Sequence, residues 1–150
     1  MEQPAIGILD ANRTMTIATV RPDGWPQATI VGYANEGLAL YFLVYRTSQK
    51  FSNMAHDNRV AITVGQEPAQ LEDVKAVYAG CTVSEVEDPA QRTRAWTLLA
   101  QRHPQLDDLA PPAADEVATM VAHCRYISVL DYGTAIGHTE AFSVEGPATG

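Results

Sequence analysis

Five consecutive residues, Arg46-Thr47-Ser48-Gln49-Lys50, bring two cations and two hydroxyls together. An arginine can grip a phosphate with two parallel hydrogen bonds, and a lysine adds a point charge. Ser48 has N-cap chemistry, and Phe51, Met54 and Ala55 follow at i, i+3 and i+4, so a short helix is predicted to begin there. Free backbone N–H groups at a helix start point at an anion, and the helix dipole favours negative charge. Thr47 and Ser48 would add hydroxyl donors. The segment therefore has the chemistry of a site for a phosphate monoester. The alternative is that Arg46 and Lys50 are solvated cations at a helix start. Cations there oppose the dipole, and an anion bound between them would remove the conflict.

Other motifs are few. The sequence contains neither a G-x-x-x-x-G-K-[ST] phosphate loop nor a G-x-G-x-x-G dinucleotide fingerprint, and no G-x-S-x-G elbow. Its histidines, His56, His103, His123 and His138, lack metal-site spacing, so no metal ligand set is assigned. No catalytic residue is assigned either. His138, beside Gly137 and followed by Thr139-Glu140, could cover a ligand or be a solvated tail histidine. Trp25, just past a turn, could stack on a ligand or cap a hairpin.

Composition narrows the classes. Among 150 residues, 10 Lys and Arg face 18 Asp and Glu, for a formal net charge of -8. That balance argues against a general nucleic-acid binder and against charge-held membrane association. No apolar run approaches the ~20 residues that span a bilayer. The N-terminus lacks the basic and apolar regions of a secretion signal, and Cys81 and Cys124 do not make a disulfide framework. The expectation is one soluble cytoplasmic domain over 1–150, with a small polar tail over 132–150. Against the acidic background, the cations stand out. The chain has only two lysines, and no Asp or Glu lies between Leu38 and His56, where Arg46 and Lys50 sit.

The positioning elements can be read in order. A weak helix over 5–12 is followed by a strand over 14–20, the turn Arg21-Pro22-Asp23-Gly24, and a returning strand over 27–35. Leu38 to Tyr45 is continuously apolar and reads as a strand buried on both faces. Strands over 60–64 and 74–86 follow, with Gly80 marking a bulge or a close backbone approach. Asp88-Pro89 opens a helix, with Trp96, Leu99, Ala100 and His103 on one stripe. A second short helix is expected after Pro111-Pro112, with Val117, Met120 and Val121 on one face, before a last strand over 125–130. About six mainly antiparallel strands would curl into a barrel to protect their edges.

The stretches Ile17-Ala18-Thr19-Val20, Pro22-Asp23-Gly24-Trp25-Pro26, Gln27 to Tyr33, Leu40-Tyr41-Phe42-Leu43, Arg46 to Lys50 and Asn58-Arg59-Val60-Ala61 together resemble the pyridoxamine 5'-phosphate oxidase-like family. These are flavin-binding split β-barrels. The resemblance implies a mainly β split barrel with added helices, and a homodimer with FMN at its interface acting on a small-molecule substrate. It carries the flavin phosphate to Ser48 and Lys50, and to Arg46 and Thr47 by proximity. The ring would lie against the strands at Thr29, Ile30, Val31 and Gly32 and at Leu43, Val44 and Tyr45, with His138 as a lid or substrate contact. The oxidase itself has basic residues where this chain has Gln49, Ala28, Thr29 and Tyr33, so a different member of the family is implied. Relatives using F420 or haem share the scaffold, as would a non-enzymatic module that stores or carries its ligand.

Overall fold

Alternation along the strands decides the architecture. In β1 (Thr14–Val20), Met15, Ile17 and Thr19 point inward and are buried, while Thr14, Thr16, Ala18 and Val20 face out. The same period of two recurs in β5 (Arg59–Gly65), whose Val60, Ile62 and Val64 are buried between exposed neighbours. A sheet apolar on one face must bury that face, and this one does so by curling on itself. The computed structural model describes residues 2–145.

The further strands are β2 (Pro26–Gly32), β3 (Ala34–Glu36), β4 (Ala39–Tyr45), β6 (Lys75–Glu85), β7 (Val117–Asp131) and β8 (Thr139–Ser143). All eight form one sheet in the order β2-β1-β5-β6-β7-β4-β3, with β8 added beside β7, and every pairing is antiparallel. Thus β2 and β3 lie at opposite ends of the strand order, yet only Tyr33 separates them along the chain. One residue cannot span an open sheet, so the two ends must meet and the sheet must close into a barrel. This is the expected mainly β split barrel.

Three helices cover what the barrel leaves open. α1 (Glu2–Asp10) contributes Ala5, Ile8 and Leu9 to the core, packing at the end of the barrel where β5 finishes and β6 starts. α2 (Gln49–His56) packs at the opposite end, against β1 and β4. α3 (Pro89–Arg102) lies outside, over β3 and β4, and is capped as its sequence requires: the Asp88 carboxylate accepts the Gln91 N–H at 3.0 Å, with proline in the first turn.

Several expectations change. The helix after Pro111-Pro112 is instead the first half of β7, where Val117 to Ala122 are all buried. Its apolar residues fit helical spacing only because both strand faces are covered, so no period-two signal remains. The strand over 27–35 ends at Gly32 and restarts as β3 after Tyr33. In β4, Leu40, Phe42 and Val44 are buried, but Tyr41 and Leu43 are only partly so and Tyr45 is exposed. The tail is not wholly irregular, since Thr139–Ser143 pairs with β7; residues 146–150 lie outside the described region. These changes raise the strand count from about six to eight.

Gly80 behaves as read. The β6–β7 register shifts between Gly80 and Cys81, and the Tyr126 ring lies so close over Gly80 that an added Cβ would collide with it. Just beyond the shift, the buried Cys81 and Cys124 are free thiols, with Cys81 Sγ donating to Cys124 Sγ at 3.7 Å.

The one-residue link is itself secured. Tyr33 is fully buried; its hydroxyl donates to Leu9 O at 2.7 Å and its N–H to Arg13 O at 3.0 Å. His103 Nε2 lies 2.9 Å from Tyr33 O, and because a carbonyl can only accept, Nε2 carries the proton. Arg102 donates to Leu9 O, Asn12 O and Asn35 Oδ1 at 2.9–3.2 Å. Its cation thus meets the carbonyls at the C-terminal end of α1, where the helix dipole favours it. Replacing Arg102 by Met keeps the apolar stem and removes these donors. Urea unfolding is expected to show a loss of about 2 kcal/mol, since hydrogen bonds from charged groups contribute roughly 1.5–3 kcal/mol each and are not additive.

Candidate anion site at the barrel seam

The barrel is closed by proximity rather than by a complete ladder. β2 pairs only with β1, so its other edge is free of strand partners. β3 covers β4 only from Ala39 to Tyr41, so the matching edge of Phe42 to Tyr45 is also unladdered. These two edges approach each other without pairing. The result is a seam with unpaired backbone groups on both sides, and those groups need partners. Thr29 to Gly32 and Leu43 to Tyr45 lie along its opposite sides. Within them, Ile30 and Gly32 face out from β2, Val31 and Val44 point into the core, and Leu43 lies beneath Trp96 and Thr93 of α3. Thr29 Oγ1 is buried and has no hydrogen-bond partner among the described residues.

At the end of the seam the chain leaves β4 and turns into α2. The Ser48 hydroxyl donates to Tyr45 O at 2.7 Å and accepts the Phe51 N–H at 3.2 Å, so Ser48 is the N-cap predicted for it. The N–H groups of Gln49 and Lys50, in the first helical turn, have no intrahelical acceptor. Thr47 is exposed in the connecting turn.

The two cations of the segment differ. Arg46 is committed: its guanidinium makes a two-pronged bond to Glu85 at 2.9 and 2.7 Å, donates through Nε to Ala114 O at 2.7 Å, and lies over the Phe51 ring. The hydrogen bonds to Glu85 raise the Arg46 pKa, and the same bonds lower that of Glu85. The acid-free stretch of sequence is therefore not acid-free in space, because β6 delivers Glu85 to its edge. Glu85 is one of the structural residues that sequence reasoning missed, and its spacing from Arg46 gives no signal of the contact. Lys50, by contrast, is half-buried and makes no hydrogen bond or ion pair among the described residues; desolvation lowers its pKa. It is the cation of the segment with an open coordination sphere.

A second missed feature fixes α2 in place. Asn53 is fully buried; its Nδ2 donates to Thr19 Oγ1 and Gln27 Oε1, both at 2.9 Å, and its Oδ1 accepts from Gln49 Nε2 at 2.8 Å. A polar amide inside a short helix, where it favours neither propensity nor apolar patterning, was the available sequence signal.

His138 lies elsewhere. It sits at the turn from β7 to β8, where its carbonyl accepts the Asp131 N–H and its ring meets Glu140 at 3.2 Å. Lys50 is at the Val117 end of β7, so the full strand separates the two within one chain. Trp25 is 69% exposed at the β1–β2 hairpin tip. A cleft of about 710 Å³ also lies at the far end, between α1, residues 66–69 and Lys75. It holds no unpaired buried polar group, so the chemistry favours the seam. Among the described residues no cluster could hold a metal ion, and no helix is long and apolar enough to cross a membrane.

Residues 4–129 match the family model described as pyridoxamine 5'-phosphate oxidase. No curated protein matches the chain. The fold is similar to that of a haem-binding protein from Mycobacterium smegmatis, with a TM-score of 0.80 at 18% identity, over 95% of this chain. The chain spans 57% of the length of that protein. It is also similar to a FAD-binding protein from Mesorhizobium loti, with a TM-score of 0.66 at 23% identity, over 82% of this chain and 88% of the other. An F420 reductase matches with a TM-score of 0.63 at 25% identity, over 81% and 93%.

The contrast between the two cations has a direct test in thermal melting. Arg46→Met strands the Glu85 carboxylate and is expected to lower the melting temperature. Lys50→Met removes a desolvated charge that no partner offsets and is expected to leave it unchanged or raise it.

Proposed function

The chain belongs to the pyridoxamine 5'-phosphate oxidase family, and on that premise we propose that it is a homodimeric, FMN-binding oxidoreductase acting on a small-molecule substrate. One observation carries this reading. Lys50 presents an unpartnered, half-buried ammonium at a helix start, at the end of a seam lined by unpaired backbone groups.

The residues fit an anionic cofactor end. Lys50 supplies charge, the Gln49 and Lys50 N–H groups supply donors aligned with the helix dipole, and Thr47 has a free surface hydroxyl. Ser48 acts mainly through its cap, and Arg46 braces the turn through Glu85. The facing edges at Thr29 to Gly32 and Leu43 to Tyr45 would orient a planar ring. The apolar interior behind Val31 and Val44 would keep water from one side of it. When bound, a flavin supplies two-electron exchange at its N5 position. The chain's own part is binding, orientation and water exclusion, and no side chain at the seam is assigned a proton-transfer role.

The dimer is supported by the outer sheet face. Two neighbouring outward-facing cross-strand rows running from β2 to β8 contain no charged residue, although the chain carries a net charge of -8. One runs Ile30, Thr16, Thr63, Tyr78, Ser128, Ala141, with Ile30 73% and Tyr78 45% exposed. An uncharged face carrying large exposed apolar groups suits a second copy of the chain. Ile30 also borders the seam, so a cofactor there would lie beside the partner.

The visible absorption spectrum of freshly purified protein, followed by titration with FMN, F420 and haem, tests the cofactor. FMN binding in preference to the other two is expected; a Soret band or selective F420 binding would overturn the FMN assignment. Lys50→Ala should weaken FMN binding by ~10–100-fold, the equivalent of one charged hydrogen bond of about 1.5–3 kcal/mol. Because burial holds the Lys50 pKa below the ordinary 10.5, the ammonium is lost earlier than usual as pH rises. FMN affinity should therefore fall with rising pH through that lowered value, while riboflavin affinity stays level. Light scattering should give a dimer that Thr63→Arg converts to monomer; a monomeric parent protein would refute the interface.

A further inference from the structure

Lys50 is two peptide units past the Ser48 cap, on a helix of only eight residues. Such a helix is marginal alone, and its placement must come from tertiary contacts. α2 continues directly from β4, one side of the seam. Among the described residues, its only side-chain hydrogen bonds to the other side run through Asn53, to Thr19 on β1 and Gln27 on β2. Thr19 and Gln27 are themselves cross-strand partners. Asn53 uses both amide hydrogens and its oxygen, and all three bonds are 2.8–2.9 Å long. Lys50 is three residues before Asn53, on the same helix face. The unpaired Thr29 hydroxyl is on the next inward-facing residue of β2 after Gln27.

We infer that Asn53 is a positioning residue for the anion site: it straps α2 to the β1–β2 hairpin across the seam, and so sets where the Lys50 ammonium stands relative to β2. The inference rests on the reading that Lys50 holds the cofactor phosphate, but its geometry can be tested without any cofactor. The two amide hydrogens of Asn53 join the helix to two strands while the oxygen accepts from Gln49 one turn earlier in α2, and no apolar residue of its size can replace them. Asn53 and Thr19 are both buried, so water cannot substitute for the bond between them without opening the end of the barrel.

The chain supplies its own reference for the test, since it has only two lysines and Lys75 is exposed at the opposite end of the barrel. Acylation of both by an N-hydroxysuccinimide ester, read by mass spectrometry, gives a Lys50-to-Lys75 ratio. Asn53→Leu should raise that ratio ~threefold or more as Lys50 gains solvent. It should also cut the preference for FMN over riboflavin ~tenfold, while riboflavin affinity changes little. Thr19→Val removes a single bond and should move both readings the same way by less, and Thr19→Ser should restore them. It serves also if Asn53→Leu fails to fold. An unchanged lysine ratio and FMN preference would overturn the inference, as would a fall in FMN and riboflavin affinity together, which marks general destabilisation. If Lys50→Ala leaves the FMN preference intact, the phosphate reading fails instead, and the lysine ratio still decides the strap.

Discussion

The structure depends on one topological constraint: β2 and β3 occupy opposite ends of the strand order and are joined by Tyr33 alone. The sheet must therefore close, but it cannot close by ordinary pairing, because the short β3 stops after three residues. The seam follows from this. So does the need for side chains to do what backbone hydrogen bonds do elsewhere. Tyr33, His103 and Arg102 secure one end of the junction, and Asn53 with Thr19 and Gln27 secures the other. Unpaired strand edges are usually a liability. Here they are turned towards each other and become the walls of the candidate site.

Electrostatics then sorts the basic residues near that site by task. Arg46 and Lys50 look alike in sequence, but the fold gives Arg46 a carboxylate, a carbonyl and an aromatic face, and gives Lys50 nothing. The planar guanidinium suits a bracing role between three segments; the compact ammonium suits a ligand contact. An acidic protein can in this way offer a cationic point without a basic patch.

What could be read from the sequence was local. The β1–β2 hairpin was legible from its turn, Ser48 from its cap chemistry, α3 from Asp88-Pro89, and the β6 irregularity from Gly80. What could not be read was long-range. Glu85 reaches Arg46 only because β4 and β6 flank β7, an arrangement that no local pattern encodes. Val117 to Ala122 misled because burial on both faces erases strand periodicity. β8 was hidden because it pairs through backbone and, Phe142 apart, its side chains are exposed. Of the candidate site, the helix start was visible, but the seam and its strap were not, since both come from elements distant in sequence.

The strand order has a consequence for how the chain acquires its structure. The β1–β2 and β5–β6 hairpins are local, but β1 must pair with β5 across more than forty residues, and β4 with β7 across more than seventy. Until then Leu40, Phe42 and Val44, all nearly inaccessible in the finished barrel, have no sheet to face. Closing so long a loop is entropically unfavourable and slow compared with hairpin formation. Any partly folded chain in which β7 has not yet docked leaves this apolar strand unsheltered. That stage is where self-association competes with folding.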